Sequence, residues 1–166
     1  MASLRVLAAG LSALGLALTL ASCAPSPGSG TPGDEGYEST IAAVVLAESD
    51  AGGRAFALET EGGTSRIRVA VGDRDVEVEV EPAGPTVAGR HEGGDLDADD
   101  RAALSAASTP LADAIRIAAA AYDGNRSVDE VALDRDGGAA AWTIEFVDGG
   151  EVAVAATDGA IVRTED

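Results

Sequence analysis

Residues 76–81 alternate strictly between apolar and charged side chains. The apolar positions are all valine and the charged positions all glutamate, namely Val76, Val78 and Val80, and Glu77, Glu79 and Glu81. Successive side chains of a β-strand point to opposite faces, so this alternation predicts a strand with one dry face and one row of carboxylates. The dry face needs an apolar layer to pack against. The chain is also 46% hydrophobic, which is too apolar for a wholly disordered acidic chain.

A similar stretch recurs 74 residues later, where residues 151–154 (Glu-Val-Ala-Val) follow the pattern of residues 77–80 (Glu-Val-Glu-Val). The helical segments and the second strands recur at roughly 70–75 residues, so the period is real but approximate. A period of this length indicates one supersecondary unit used twice. Each copy has only about 60 residues, near the lower limit for an independent core. We therefore expect the two copies to pack together, for instance by joining their sheets.

The second copy has the clearer signals. Thr109 is a predicted helix N-cap and Pro110 lies in the first turn. The apolar residues that follow have the spacing of one buried helix face: Leu111, Ala114, Ile115, Ala118, Ala119 and Tyr122. Asp-Gly turns then separate extended segments around Val131, residues 142–146 and residues 152–154, and Ile161 and Val162 form a closing edge.

The first copy repeats this order. A helix capped by Ser39 or Thr40 ends near Gly52, and strands follow around Phe56, at residues 66–71 and at residues 76–81. The sequence thus predicts an α+β fold of two tandem units, each a helix with an antiparallel meander. The predicted boundaries are 1–22 for an export signal, 23–36 for a flexible tether rich in Gly, Pro and Ser, 37–92 for the first unit, and 93–166 for the second unit with a short leading helix.

The N-terminus has the features of an export signal. Arg5 precedes an apolar run over residues 6–20, which is short for a membrane span of about 20 apolar residues. The run ends in Leu-Ala-Ser-Cys at residues 20–23, which resembles the lipobox of bacterial lipoproteins and predicts a lipid on Cys23, the only cysteine. Secretory cleavage beside an incidental cysteine and an uncleaved signal anchor are the alternatives.

The helix at residues 111–118, the strand at residues 142–146 and the closing segment at residues 152–162 together resemble PepSY domains. The closing segment has that family's usual ending of a valine-rich strand, an Asp-Gly turn and a hydrophobic pair. The resemblance covers about residues 37–166, although Pro-Ala-Gly-Pro at residues 82–85 replaces the turn in the first unit. PepSY units occur in propeptides of thermolysin-like metalloproteases and in bacterial envelope proteins. The resemblance implies a role in restraining peptidases, without catalysis by the module.

Charge and composition exclude several classes of function. The 11 basic residues are all arginine and face 29 acidic ones, for a net charge of −18. Such a field repels nucleic acids and anionic lipid surfaces. One cysteine and one histidine exclude a disulfide framework and a Cys/His zinc site within the chain. Hydrolase, Walker and Rossmann motifs are also absent, so we predict no enzyme activity, no cofactor and no metal site.

The remaining candidates have simpler structural interpretations. Asp95, Asp97 and Asp99 match the start of an EF-hand loop, but Asp100 and Ala106 stand where that loop needs Gly and Glu. We therefore predict an acid cluster at a helix N-terminus. The lone imidazole, His91, is predicted to be solvated in a loop, and the aromatic rings of Trp142 and Tyr122 are predicted to fill the core.

These observations predict a lipid-anchored, non-catalytic binding module on the outer side of the cell membrane, with an envelope peptidase as its partner. The candidate partner-binding residues are Glu77, Glu79 and Glu81. A solvated strand face that protects a sheet edge is the alternative for these three residues. The alternative function is an extracytoplasmic sensor of cations or small ligands that uses the acidic clusters.

Overall fold

The computed structural model describes residues 34–81, 83–136 and 138–165. The export signal, Cys23 and nearly all of the predicted tether lie outside these residues. The elements in chain order are α1 (Asp34–Ala51), β1 (Arg54–Glu61), β2 (Thr64–Val71), β3 (Arg74–Glu81), β4 (Thr86–Asp95), α2 (Ala98–Ala106), α3 (Leu111–Ala121), β5 (Val128–Asp136), β6 (Ala139–Phe146), β7 (Glu151–Ala155) and β8 (Ile161–Glu165).

All eight strands belong to one antiparallel sheet with the order β4-β3-β2-β1-β5-β6-β7-β8. Strands β1–β4 form one meander and β5–β8 form another. The two meanders join at the centre through their first strands, where Leu58 lies opposite Val131. The predicted mixed fold of helices and antiparallel sheet is confirmed, and the two halves of the chain share one sheet.

Helices α1 and α3 cover one face of the sheet. Helix α1 contacts β1–β5, α3 contacts β1 and β6–β8, and the two helices contact each other. Strands β2, β3 and β6 bury every second side chain under these helices, whereas β1 and β7 bury consecutive residues and β4 and β8 are mostly exposed. Aromatic residues fill the centre of the core: Trp142, Phe56 and Phe146 are among its largest fully buried side chains. The prediction that Trp142 and Tyr122 are core residues is confirmed, since both are buried.

Helix α3 lies where the apolar spacing predicted it. It begins at Leu111, one residue later than predicted, because Pro110 takes the N-cap position, and it ends at Ala121. Thr109 is buried, and its backbone carbonyl accepts a hydrogen bond of 3.0 Å from the indole Nε1 of Trp142. The helix start is therefore fixed by the core and not by a side-chain cap.

Helix α1 differs from its prediction. It begins at Asp34, inside the segment predicted as tether, and not after a cap at Ser39 or Thr40. The hydroxyls of Ser39 and Thr40 donate to the carbonyl of Gly36, so both residues lie within the helix. Both hydroxyls thus bond to a carbonyl one turn earlier in the helix and do not cap its N-terminus.

Strand β4 was not predicted from the sequence. His91 lies in this strand, opposite Glu77, and not in a loop. The strand continues to Asp95, so the predicted boundary between residues 92 and 93 falls within it. Its glycines and polar residues show no alternation, and the pairing with β3 fixes its conformation instead.

Candidate partner-binding surface

The face of the sheet opposite α1 and α3 carries mostly small and charged side chains, and α2 packs over one end of it, against β5 and β6. We call this face the open face. Cross-strand pairing places Arg68, Ala57, Ala132, Thr143, Ala153 and Arg163 in one line across β2, β1, β5, β6, β7 and β8. Four members of this line are Ala or Thr, so the side chains in the middle of the open face project only a short distance from the sheet. An antiparallel sheet commonly leaves one face to solvent, but that face is then a surface on which a partner can pack.

A second line of paired residues on the open face is acidic. Glu59 lies opposite Glu130, Glu130 opposite Glu145, and Glu145 opposite Glu151. We call these four residues the glutamate row. Strand neighbours in a sheet are about 4.8 Å apart, so the row extends over roughly 14 Å. Like charges placed directly opposite each other destabilise a sheet, so this row lowers the stability of the unbound protein.

The electrostatics of the row differ between its ends and its centre. At one end Arg66 lies 4.0 Å from Glu59, and at the other Arg163 forms an ion pair with Glu151. Among the described residues, no cation lies within ion-pair distance of Glu130 or Glu145. Partial desolvation raises the pKa of Glu130, and the negative charges of Glu145 and Glu59 raise it further. The centre of the row thus has uncompensated negative charge.

The three sequence-predicted glutamates lie on the same open face but in β3. Glu77 and Glu79 are half-buried and stand opposite Arg68 and Arg66 in the neighbouring strand. Glu81 is exposed at the end of the strand. The Nε2 atom of His91 lies 3.9 Å from Glu79. The structure therefore brings Glu77 and Glu79 next to arginines, whereas the larger unpaired charge lies in the glutamate row.

Two depressions lie in the open face, and one of them borders the glutamate row. One, of about 220 Å³, lies over β1, β2 and β5 between Ala57, Glu59, Arg68 and Glu130. The other, of about 170 Å³, lies over β6–β8 between Ala141, Thr143, Ala153 and Arg163. Both depressions have floors of small side chains and mixed-charge rims. Such hollows can receive the side chains of a docked protein.

Strands β4 and β8 are the two edges of the sheet. The side chains of β8 are exposed along its whole length, including 63% of Val162. Strand β4 is also exposed, but Arg90 in its middle donates to the carbonyl of Asp50 at the end of α1. Unpaired backbone groups at such edges can accept an added strand from a partner.

The acidic residues near α2 have a structural role. Asp97 is the N-cap of α2 and its Oδ1 accepts from the backbone N–H of Asp99 at 2.8 Å. Desolvation raises the pKa of Asp100, although Arg68, at 3.6 Å, acts in the opposite direction. The predicted acid cluster at a helix N-terminus is observed. Within the described parts of the chain, no group of three or more His, Cys, Asp or Glu residues is placed to hold a metal ion.

A polar network closes the turn between β6 and β7. The Asp148 carboxylate accepts from the backbone N–H of Asn125 at 2.7 Å and from the Tyr122 hydroxyl at 2.9 Å. The Asn125 N–H holds the pKa of Asp148 below its ordinary value, and the Tyr122 hydroxyl adds to the effect. The Tyr122 ring stacks on Phe146 with 4.4 Å between ring centroids. This network fixes the end of α3 to the sheet.

No helix in residues 34–165, as far as the structure describes them, is long and apolar enough to cross a bilayer. A search of curated proteins found no match to the chain. Among solved structures, the chain is similar to the crystal structure of a "putative lipoprotein" from Clostridium difficile 630. The TM-score is 0.46 at 15% sequence identity, and the match covers 74% of this chain and 89% of that one.

The family comparison concerns the second half of the chain. Residues 110–165 match the family model of the peptidase propeptide and YPEB domain, PepSY. The matched segment begins at the N-cap of α3 and ends with β8, so it contains one helix and the whole second meander. PepSY domains are non-catalytic modules of the propeptide and inhibitor type. Residues 110–165, about a third of the chain, are therefore similar to a PepSY domain.

Proposed function

We propose that this protein is a lipid-anchored, non-catalytic module of the cell envelope that binds a peptidase and modulates its activity. The match of residues 110–165 to a peptidase-propeptide family carries this proposal. Occupying a cleft or shielding a surface of an enzyme requires no reaction centre in the inhibitor. The open face and the two exposed sheet edges offer the area that such a contact needs.

We extend the proposal to the first half of the chain, which we interpret as a second PepSY-like unit. Helix α1 precedes the meander β1–β4 in the same order as α3 precedes β5–β8. The two first strands pair with each other at the centre of the sheet, which is the arrangement that two copies of one unit produce when they join. The partner then meets one wide surface built from both halves.

The peptidase proposal is tested by crosslinking the anchored chain in intact membranes and identifying the captured protein. We expect a peptidase, and we expect its purified activity to change when this protein is added in an equimolar amount. Denatured protein at the same concentration is the control. Capture of a protein with no peptidase activity, or a peptidase whose rate is unaltered at saturating amounts, contradicts the proposal.

The lipid anchor is tested by changing Cys23→Ser. A thioether-linked diacylglycerol supplies two acyl chains, which hold a protein stably on a membrane. We expect the variant to leave the membrane fraction almost completely and the wild-type chain to stay there, as measured by immunoblot after fractionation. Ser22→Ala keeps a small residue before the cysteine and serves as the matched control. A Cys23→Ser chain that remains membrane-bound contradicts the anchor.

A further inference from the structure

Helix α2 packs over one end of the open face, and the other end, which carries the glutamate row, has no covering element in the described chain. The side chains in the middle of this face are short, because Ala57, Ala132 and Ala153 have only methyl groups. The void of about 220 Å³ beside Glu59 and Glu130, which Arg66 and Arg68 also line, corresponds to roughly seven waters at liquid density, so the surface is concave there. The shape of the face thus permits close approach of another protein.

The charge of this face selects the partner. Two neighbouring carboxylates at the centre of the glutamate row, those of Glu130 and Glu145, lack a cation among the described residues. Arg66 and Arg163 occupy only the two ends. A bound cationic side chain would relieve the repulsion that the row imposes on the unbound sheet. An anionic or purely apolar segment would leave that repulsion in place.

We infer that the uncovered end of the open face is the docking surface for a basic segment of the partner protein, whose Lys or Arg side chains pair with the glutamate row. This inference deepens the proposed function, since it assigns the surface and the chemistry by which the partner peptidase is held. The row crosses four strands, so a segment that lies along it meets residues from both halves of the chain: Glu59 from the first and Glu130, Glu145 and Glu151 from the second.

The test measures binding of a short peptide in which lysine alternates with alanine, by titration calorimetry against the purified full chain. Glu130→Gln/Glu145→Gln removes the two unpaired charges and keeps the side-chain shape. We expect binding to weaken about tenfold, as the loss of two surface ion pairs predicts. Glu38→Gln/Asp123→Asn removes the same charge from exposed sites elsewhere, and we expect less than a twofold change.

A second variant tests the shape of the surface without changing its charge. Thr143→Trp fills the middle of the open face, and we expect weaker peptide binding with an unchanged melting temperature. Equal weakening by the row variant and by its matched control would overturn the inference, because the peptide would then respond only to net charge. Unchanged binding in both Glu130→Gln/Glu145→Gln and Thr143→Trp would overturn it as well.

The peptide assay is independent of any peptidase, so the two proposals can fail separately. Loss of lysine-peptide binding in the row variant, together with no effect of the wild-type chain on any captured peptidase, keeps the docking surface and removes the proposed function. The other outcome is that Glu130→Gln/Glu145→Gln still modulates the peptidase. It would keep the proposed function and remove the glutamate row from the contact.

Discussion

Replacing Trp142 with alanine should lower the free energy of unfolding by about 3–5 kcal/mol, which is the usual cost of deleting a large buried aromatic side chain. Trp142 is fully buried in β6 between Leu133 and Val154 of the neighbouring strands. The substitution also leaves the carbonyl of Thr109 without its indole donor. Since small domains unfold with about 5–15 kcal/mol in total, a large part of the stability should disappear.

The measurement is urea unfolding followed by far-ultraviolet circular dichroism. Fluorescence is unsuitable because Trp142 is the only tryptophan. Trp142→Phe keeps an aromatic ring but cannot donate to Thr109, so it should cost about 1–2 kcal/mol and separates the hydrogen bond from the packing. A loss below about 1 kcal/mol for Trp142→Ala would show that this site is not the centre of the core.

Gly150→Ala should destabilise the protein by about 2–4 kcal/mol through overpacking and loss of a hydrogen bond. A Cβ atom at this position would overlap the hydroxyl and ring carbons of Tyr122. That ring is buried, stacks on Phe146 and donates its hydroxyl to Asp148, so it has little freedom to move. Gly94→Ala is the matched control, because a Cβ there meets nothing within 4 Å.

A double-mutant cycle shows whether the Tyr122 contact is the cause. In a Tyr122→Ala background the obstructing ring is absent, so Gly150→Ala should cost much less than it does in the wild-type chain. The free energies come from the same urea titrations. Equal costs in the two backgrounds would mean that the glycine is required by its backbone and not by the close approach of the ring.

The sequence predicted the elements whose pattern is local. Helix α3 follows from its apolar spacing, and β3 and β7 follow from strict alternation, because burial on one side of a regular element repeats with that element's period. Helix α1 began earlier than predicted, since Gly36 and its acidic neighbours resemble a linker in isolation. Strand β4 has no alternation at all. These residues form a strand because they hydrogen-bond to β3, and the sequence of one strand does not reveal which strand it will pair with.

The candidate surface was only partly predictable for a related reason. Glu77 and Glu79 could be predicted as surface residues because they alternate with valines within one strand. The glutamate row contains one residue from each of four strands, and the members come together only through cross-strand register. Glu130 and Glu145 each look like an ordinary solvent-facing residue in the sequence. Without the order of the strands, nothing marks them as neighbours.

The central pairing of β1 with β5 has a consequence for how the chain is made. Ribosomal synthesis completes the first meander well before residues 128–136 exist, so for that interval β1 has β2 on one side and bare amide and carbonyl groups on the other. Pairing β1 with β5 joins residues 71–75 positions apart, and contacts of such long range form slowly. The half-made chain is therefore at its most aggregation-prone along the line that later becomes its midline.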